Sequence, residues 1–159
     1  MKTTYAVRYM LYLKRTHIPA DIFEEIVALG EGYKTEFRER LPSPLEAART
    51  LCAFANTKGG NLFIGVDRSG GAGGVTDPYA ELESLEQALD LLVPRPELTV
   101  SRAEVQDADI LQIEVPEGVE KPYFVQERDQ RTAYVRTESG NAPAGRRLIR
   151  LMERGRSRP

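Results

Sequence analysis

One cysteine and one histidine stand among 159 residues, and each scarcity removes a class of chemistry. Cys52 alone leaves no disulfide framework, and its place in an apolar helical run makes it a small core hydrophobe. With His17 the sole histidine, His-based acid–base pairs and His-rich zinc sites are excluded. No apolar run approaches the ~18 residues that suggest a membrane span. Residues 1–15 hold no uninterrupted hydrophobic stretch followed by a small-residue cleavage site. The glycines of Gly59-Gly60 and of Gly70 to Gly74 lack the Gly-Lys-Ser/Thr ending of a P-loop and any dinucleotide fingerprint leading into a helix. There is no internal repeat, low-complexity tract or domain-splitting linker. These absences, with 41% hydrophobic and 29% charged residues, predict one soluble, cytoplasmic domain with no membrane partner.

Charge is plentiful but unevenly placed. The net charge of −2 conceals +4 over residues 1–17, −11 over 18–141 and +5 over 142–159, the last from six arginines against Glu153. A basic tail can supply the phosphate contacts that dominate non-specific nucleic-acid affinity. It can equally be a solvated, fraying terminus, and charge alone does not choose.

Periodicity sorts most of the chain. Residues 5–15 are apolar on nearly every side, so helix and strand cannot be separated there. Ile18, Ile22, Ile26 and Leu29 recur at helical spacing, with Gly30 as the stop. Tyr33 to Phe37 alternates as a strand, placing Tyr33, Thr35 and Phe37 on one face and Lys34 and Glu36 on the other. Ser43-Pro44-Leu45-Glu46 reads as a capping box opening a helix to about Thr57. Asn61 to Val66 is a buried strand, and Tyr79 to Leu92 a second amphipathic helix ended by Pro94 and Pro96. Two hairpins follow: Leu98 to Val105 with Ile110 to Val115, then Tyr123 to Gln126 with Thr132 to Arg136. A last helix, Ala144 to Arg154, is expected to turn Leu148, Leu151 and Met152 inward. The order implies a single α/β (α+β) domain with a mixed sheet flanked by helices.

Three acids stand at informative places. Glu31 and Glu36 bracket Gly-Tyr-Lys-Thr, and Asp67 sits at the exit of the strand that follows Gly59-Gly60. Carboxylates brought together suit Mg²⁺ or Mn²⁺, which can activate water or stabilise charge on a phosphodiester. Glu31 must curl back through Gly32 to join Glu36. The other reading makes Glu31 a solvated loop acid, Glu36 the partner of a neighbouring cation and Asp67 a turn cap. Lys34, Arg38, Lys121 and Arg136, with Arg146, Arg147 and Arg150 on the last helix, are candidate phosphate contacts. Tyr123 and Tyr134 are either base-stacking or packing residues.

Three blocks resemble the Schlafen AlbA-type domain, often called a divergent AAA-associated or DNA-binding domain. They are Glu31-Gly-Tyr-Lys-Thr-Glu36-Phe37-Arg38; Ala53 to Gly60 with Ile64-Gly65-Val66-Asp67; and Lys121-Pro122-Tyr123 with Ala133 to Arg136 and Ser139 to Ala142. The resemblance spans roughly residues 27–153, leaving 1–26 as an extension and 154–159 as a basic tail. Arg38 replaces the family's usual Lys, and Arg68 follows Asp67 where many members carry a second acid. The resemblance implies nucleic-acid binding, with structured RNA such as tRNA favoured and DNA the alternative. It also implies a Mg²⁺- or Mn²⁺-dependent endoribonuclease using Glu31, Glu36 and Asp67, against a non-catalytic DNA-binding or regulatory module. Nuclease members pair two such domains, so a single copy implies a homodimer, with the N-terminal apolar segment as its contact.

Overall fold

The computed structural model describes residues 13–156. Its elements in chain order are β1 (Lys14–His17), α1 (Ala20–Leu29), β2 (Thr35–Arg38), α2 (Pro44–Asn56), β3 (Gly60–Ile64), α3 (Pro78–Leu89), β4 (Leu92–Val93), β5 (Thr99–Val105), β6 (Ala108–Val115), β7 (Phe124–Glu127), β8 (Gln130–Thr132), β9 (Tyr134–Thr137), β10 (Gly140–Pro143) and α4 (Arg146–Arg156). A five-stranded mixed sheet runs β1-β5-β6-β3-β2, beside a three-stranded sheet β4-β7-β8 and the hairpin β9-β10. Most of the N-terminal apolar segment assigned to dimer contact lies outside the described residues.

The β2-α2-β3 unit fixes the frame. Parallel strands need a crossover, and α2 provides it between β2 and β3, which pair from Thr35↔Asn61 to Arg38↔Ile64. The helix starts where Ser43 Oγ accepts the Glu46 N–H at 3.4 Å and Pro44 occupies the first turn. Every residue from Leu51 to Asn56 is buried, so this helix is the centre of one core layer, shared with Leu62, Ile64, Leu111 and Ile113 of the sheet. Alternation along the strands sends Phe37, Phe63, Ala103 and Ile110 to the opposite face, where α1 covers them with Phe23. Burying one such phenylalanine contributes about 1.5–3 kcal/mol. Because β1 pairs with β5 and Phe23 is core, the structured domain begins well before residue 27.

Three expectations need correction. The run 132–136 does not pair whole with 123–126: β8 ends at Thr132, Ala133 is buried, and β9 pairs instead with β10. The β5-β6 hairpin turns tightly at Gln106 and Asp107, both at positive φ (49° and 66°), so β6 starts at Ala108, two residues before the expected Ile110. Leu148 and Leu151 do not point inward; they are 39% and 52% exposed, and among the described residues no α4 side chain joins either core cluster.

The Gly59 turn is sterically specified. Its φ is +75°, and a Cβ there would lie 2.6 Å from the Val115 carbonyl oxygen. Gly73 has neither constraint, with nothing within 4 Å of a built Cβ. Gly59→Ala is therefore expected to lower the unfolding free energy by about 2 kcal/mol or more, and Gly73→Ala to leave it within ~0.5 kcal/mol. Urea denaturation checks both.

Candidate functional site

Alternation on β2 turns Phe37 into the core and Glu36 to the α2 side, where it is only 5% exposed. A buried carboxylate needs compensation, and two arginines supply it. Glu36 Oε1 accepts from Arg136 Nη1 at 2.8 Å, and Oε2 accepts from Arg38 Nε at 3.0 Å. Arg136, from β9 and 4% exposed, spends its other donors on carbonyls and an amide. Nε donates to Gly32 O at 2.8 Å, Nη2 to Thr35 O at 3.2 Å and Nη1 to Asn141 Oδ1 at 2.8 Å. Its guanidinium also lies over the Phe54 ring at 4.8 Å. Asn141 Nδ2 completes the network by donating to Thr50 Oγ1 at 2.9 Å. Arg136 is thus a clamp that closes the free edge of β2 and holds the β9-β10 hairpin on α2. At 4% exposure it presents little surface for the phosphate contact expected of it.

A second buried anchor sits at the end of α2. Asn56 Nδ2 donates to Tyr123 O at 2.9 Å and Tyr134 O at 2.8 Å, while its Oδ1 accepts the Tyr123 N–H at 2.7 Å. Thr57 Oγ1 accepts the Arg136 N–H at 2.8 Å. Tyr123 and Tyr134 are 3% and 8% exposed, so packing rather than base stacking is their role. Cys52 is fully buried beside them, and burial pushes its thiol up to about 12, leaving it unreactive.

These anchors shape a cleft of about 480 Å³ between β2, α2 and the β9-β10 hairpin. Glu31, Glu36, Arg38, Arg49, Arg68, Glu138 and Asn141 are among its lining residues. Glu31 does fold back over Gly32: its Oε2 accepts the Phe37 N–H at 3.1 Å, and Oε1 lies 3.9 Å from Arg68 Nε. The structure therefore brings Glu31 and Glu36 to one cleft. Asp67 goes elsewhere. Its Oδ1 accepts from Ser69 N–H (2.8 Å), Ser69 Oγ (2.5 Å) and Gly71 N–H (3.0 Å), closing its own turn. The Ser69 hydroxyl, then the Gly71 N–H, hold this carboxyl below its ordinary value.

The donor chemistry does not fit a three-carboxylate divalent-ion site. Both Glu36 oxygens face arginines, Asp67 is engaged by its loop, and among the described residues no three acids, histidines or cysteines gather. Of the other candidate cations, Lys121 is tied to Glu117 at 2.7 Å and to Thr57 O at 3.2 Å. Lys34, Arg146, Arg147 and Arg150 are exposed, and Arg38 is partly so. Sequence reasoning missed Asn56, Thr50 and Asn141. A polar residue at the buried end of an apolar helix was the one signal available, and it marked Asn56.

Two expectations follow. Glu36→Met and Arg136→Met should each lower the unfolding free energy by about 3 kcal/mol, whereas the double variant should lose clearly less than their sum, as read by a denaturation cycle. The second concerns pH. Glu127 is held below its ordinary 4.5, first by the Arg49 N–H and then by the Tyr134 hydroxyl. A depressed carboxylate contributes stability above its ordinary value that disappears as pH falls through the lower folded one. Glu127→Gln should flatten the loss of stability below pH 4.5. Tyr134, pushed up to about 12 mainly by burial, acts oppositely: stability should fall as pH rises from 10.

The Schlafen AlbA_2 family pattern matches residues 31–145, from the cleft glutamate to the residue before α4. No curated protein matches the chain. Among solved structures, the DIP2311 protein of Corynebacterium diphtheriae is similar at 19% identity and a TM-score of 0.57. That likeness covers 86% of this chain and 32% of the other, so this chain spans about a third of its length. The N-terminal domain of a Nitrosomonas europaea protein, named for its relation to the ATP-dependent DNA helicase RecG, is similar at 26% identity and a TM-score of 0.51. It covers 74% of this chain and 86% of that domain. With well over half of its length matched and the same blocks forming the β2-α2-β3 frame and the β9-β10 clamp, the chain belongs to the Schlafen AlbA_2 family.

Proposed function

We propose that the chain is a nucleic-acid-binding module that grips the phosphate backbone without cleaving it. The observation that carries this reading is α4. It holds five arginines and one glutamate in 11 residues, and begins three residues after β10, whose Gly140 and Asn141 line the cleft. Arg146, Arg150 and Arg154 recur every four residues, so they share one side of the helix. A row of guanidinium groups suits phosphate oxygens through paired N–H donors and carries no base preference by itself. The family and the DNA-helicase-related name of a structural relative support the same class of ligand.

Glu36 argues for the non-catalytic form. A divalent ion is held by uncompensated negative charge, and that of Glu36 is already matched by Arg136 and Arg38. Duplex RNA and duplex DNA both present a backbone to such a row, with RNA favoured by the resemblance to the family's RNA-acting members.

Fluorescence anisotropy with a structured RNA and a DNA duplex tests the proposal. Binding should weaken with salt, and Arg146→Ala/Arg147→Ala/Arg150→Ala should reduce both affinity and salt dependence. On DNA the log–log slope should fall by about 0.9 for each phosphate that the variant no longer neutralises. Unchanged affinity in the triple variant would reject α4 as the binding element. Cleavage of tRNA in Mn²⁺ by the wild type, abolished in Glu31→Gln, would overturn the non-catalytic reading.

A further inference from the structure

The structure leaves two helices with exposed apolar stripes and opposite charge. On α4, Leu148 and Leu151 are 39% and 52% exposed. They lie one turn apart, on a side distinct from the Arg146–Arg150 row, and Arg147 and Arg154 are each about a turn from Leu151. On α1, Phe23 faces the core, while Ile22 and Leu29 are 46% and 86% exposed. Their seven-residue spacing puts them on the same side, two turns apart, with exposed Glu25 between them and Asp21 and Glu24 alongside. This helix carries three acids and no base. The two helices are matched in length, at 10 and 11 residues. Yet α4 shares no hydrophobic cluster with α1 in the described fold.

We propose that α4 of one chain docks on α1 of a second copy of the same chain. Leu148 and Leu151 then cover Ile22 and Leu29, while Arg147 and Arg154 meet Glu25 and Asp21. Each copy offers both halves of the contact, so one chain can donate α4 and receive another. Self-pairing of α4 is disfavoured because it would set five arginines against five. An anionic membrane is a poorer occupant, because the rest of the chain between residues 18 and 141 carries a net −11 and is repelled by such a surface. The α4 side bearing Arg146 and Arg150 stays open in the docked arrangement, whereas Arg147 and Arg154 are shared with the nucleic-acid reading, so the contact is tested without nucleic acid.

Sedimentation velocity on the full chain at tens of micromolar reads the result. The wild type should associate, and more weakly as salt rises. Leu148→Asp/Leu151→Asp and Ile22→Asp/Leu29→Asp should each sediment as monomers. Mixing those two variants should restore a dimer, because one retains an intact α1 and the other an intact α4. Asp21→Asn/Glu25→Gln, which removes two exposed charges and keeps an oxygen at residue 21 to accept the Ile22 N–H, should weaken association at least several-fold without changing the circular dichroism spectrum. A monomeric wild type would overturn the proposal. So would loss of association in the α4 variant alone, failure of the mixture to pair, or wild-type chain that stays monomeric in solution but binds anionic phosphatidylserine vesicles through α4.

Discussion

The buried pairing of Glu36 with Arg136 is the constraint on which the rest of the site depends. The two residues are 100 positions apart in sequence, and their contact joins the edge of the main sheet to the C-terminal hairpin. A lone charge at either position would be strongly unfavourable in this environment. Together, with Arg38, Asn141 and the carbonyls of Gly32 and Thr35, they leave neither the carboxylate nor the guanidinium short of partners. Such a network is weak as a source of net stability but demanding about geometry, because removing one member strands another. That demand is what gives the cleft a defined wall.

The same pairing changes what the acids mean. Glu31 and Glu36 share a cleft, as their spacing suggested, but Glu36 serves as the counter-ion of two arginines. Asp67, one strand away, closes a turn whose glycines need its oxygen as an acceptor. The cleft is therefore lined by acids and bases in near balance, and the concentrated positive charge lies on α4. This division is what supports the proposed backbone contact through that helix, and family membership is consistent with it.

Much of the frame was legible because its signals are local. The Ser43-Pro44 start, the strand bearing Glu36 and Phe37 on opposite faces, and the hairpin of β5 and β6 each follow from neighbours in sequence. What escaped was set by long-range contact. Arg136 looked like a surface cation because nothing nearby in sequence shows that Glu36 will bury it. Residues 132–136 alternate as one strand, but the Asn56 contact to the Tyr134 carbonyl directs β9 away from β7. Leu148 and Leu151 have the spacing of a core stripe, and periodicity cannot say whether the covering surface belongs to the same chain.

The most direct test of the clamp is hydrogen exchange of arginine side chains, followed by nuclear magnetic resonance on nitrogen-15-labelled protein. In the structure the Arg136 Nε–H is buried and donates to the Gly32 carbonyl at 2.8 Å. This proton should exchange far more slowly than those of the exposed arginines of α4, and Glu36→Gln should release it. An Arg136 Nε–H exchanging as fast as the α4 arginines would contradict the clamp.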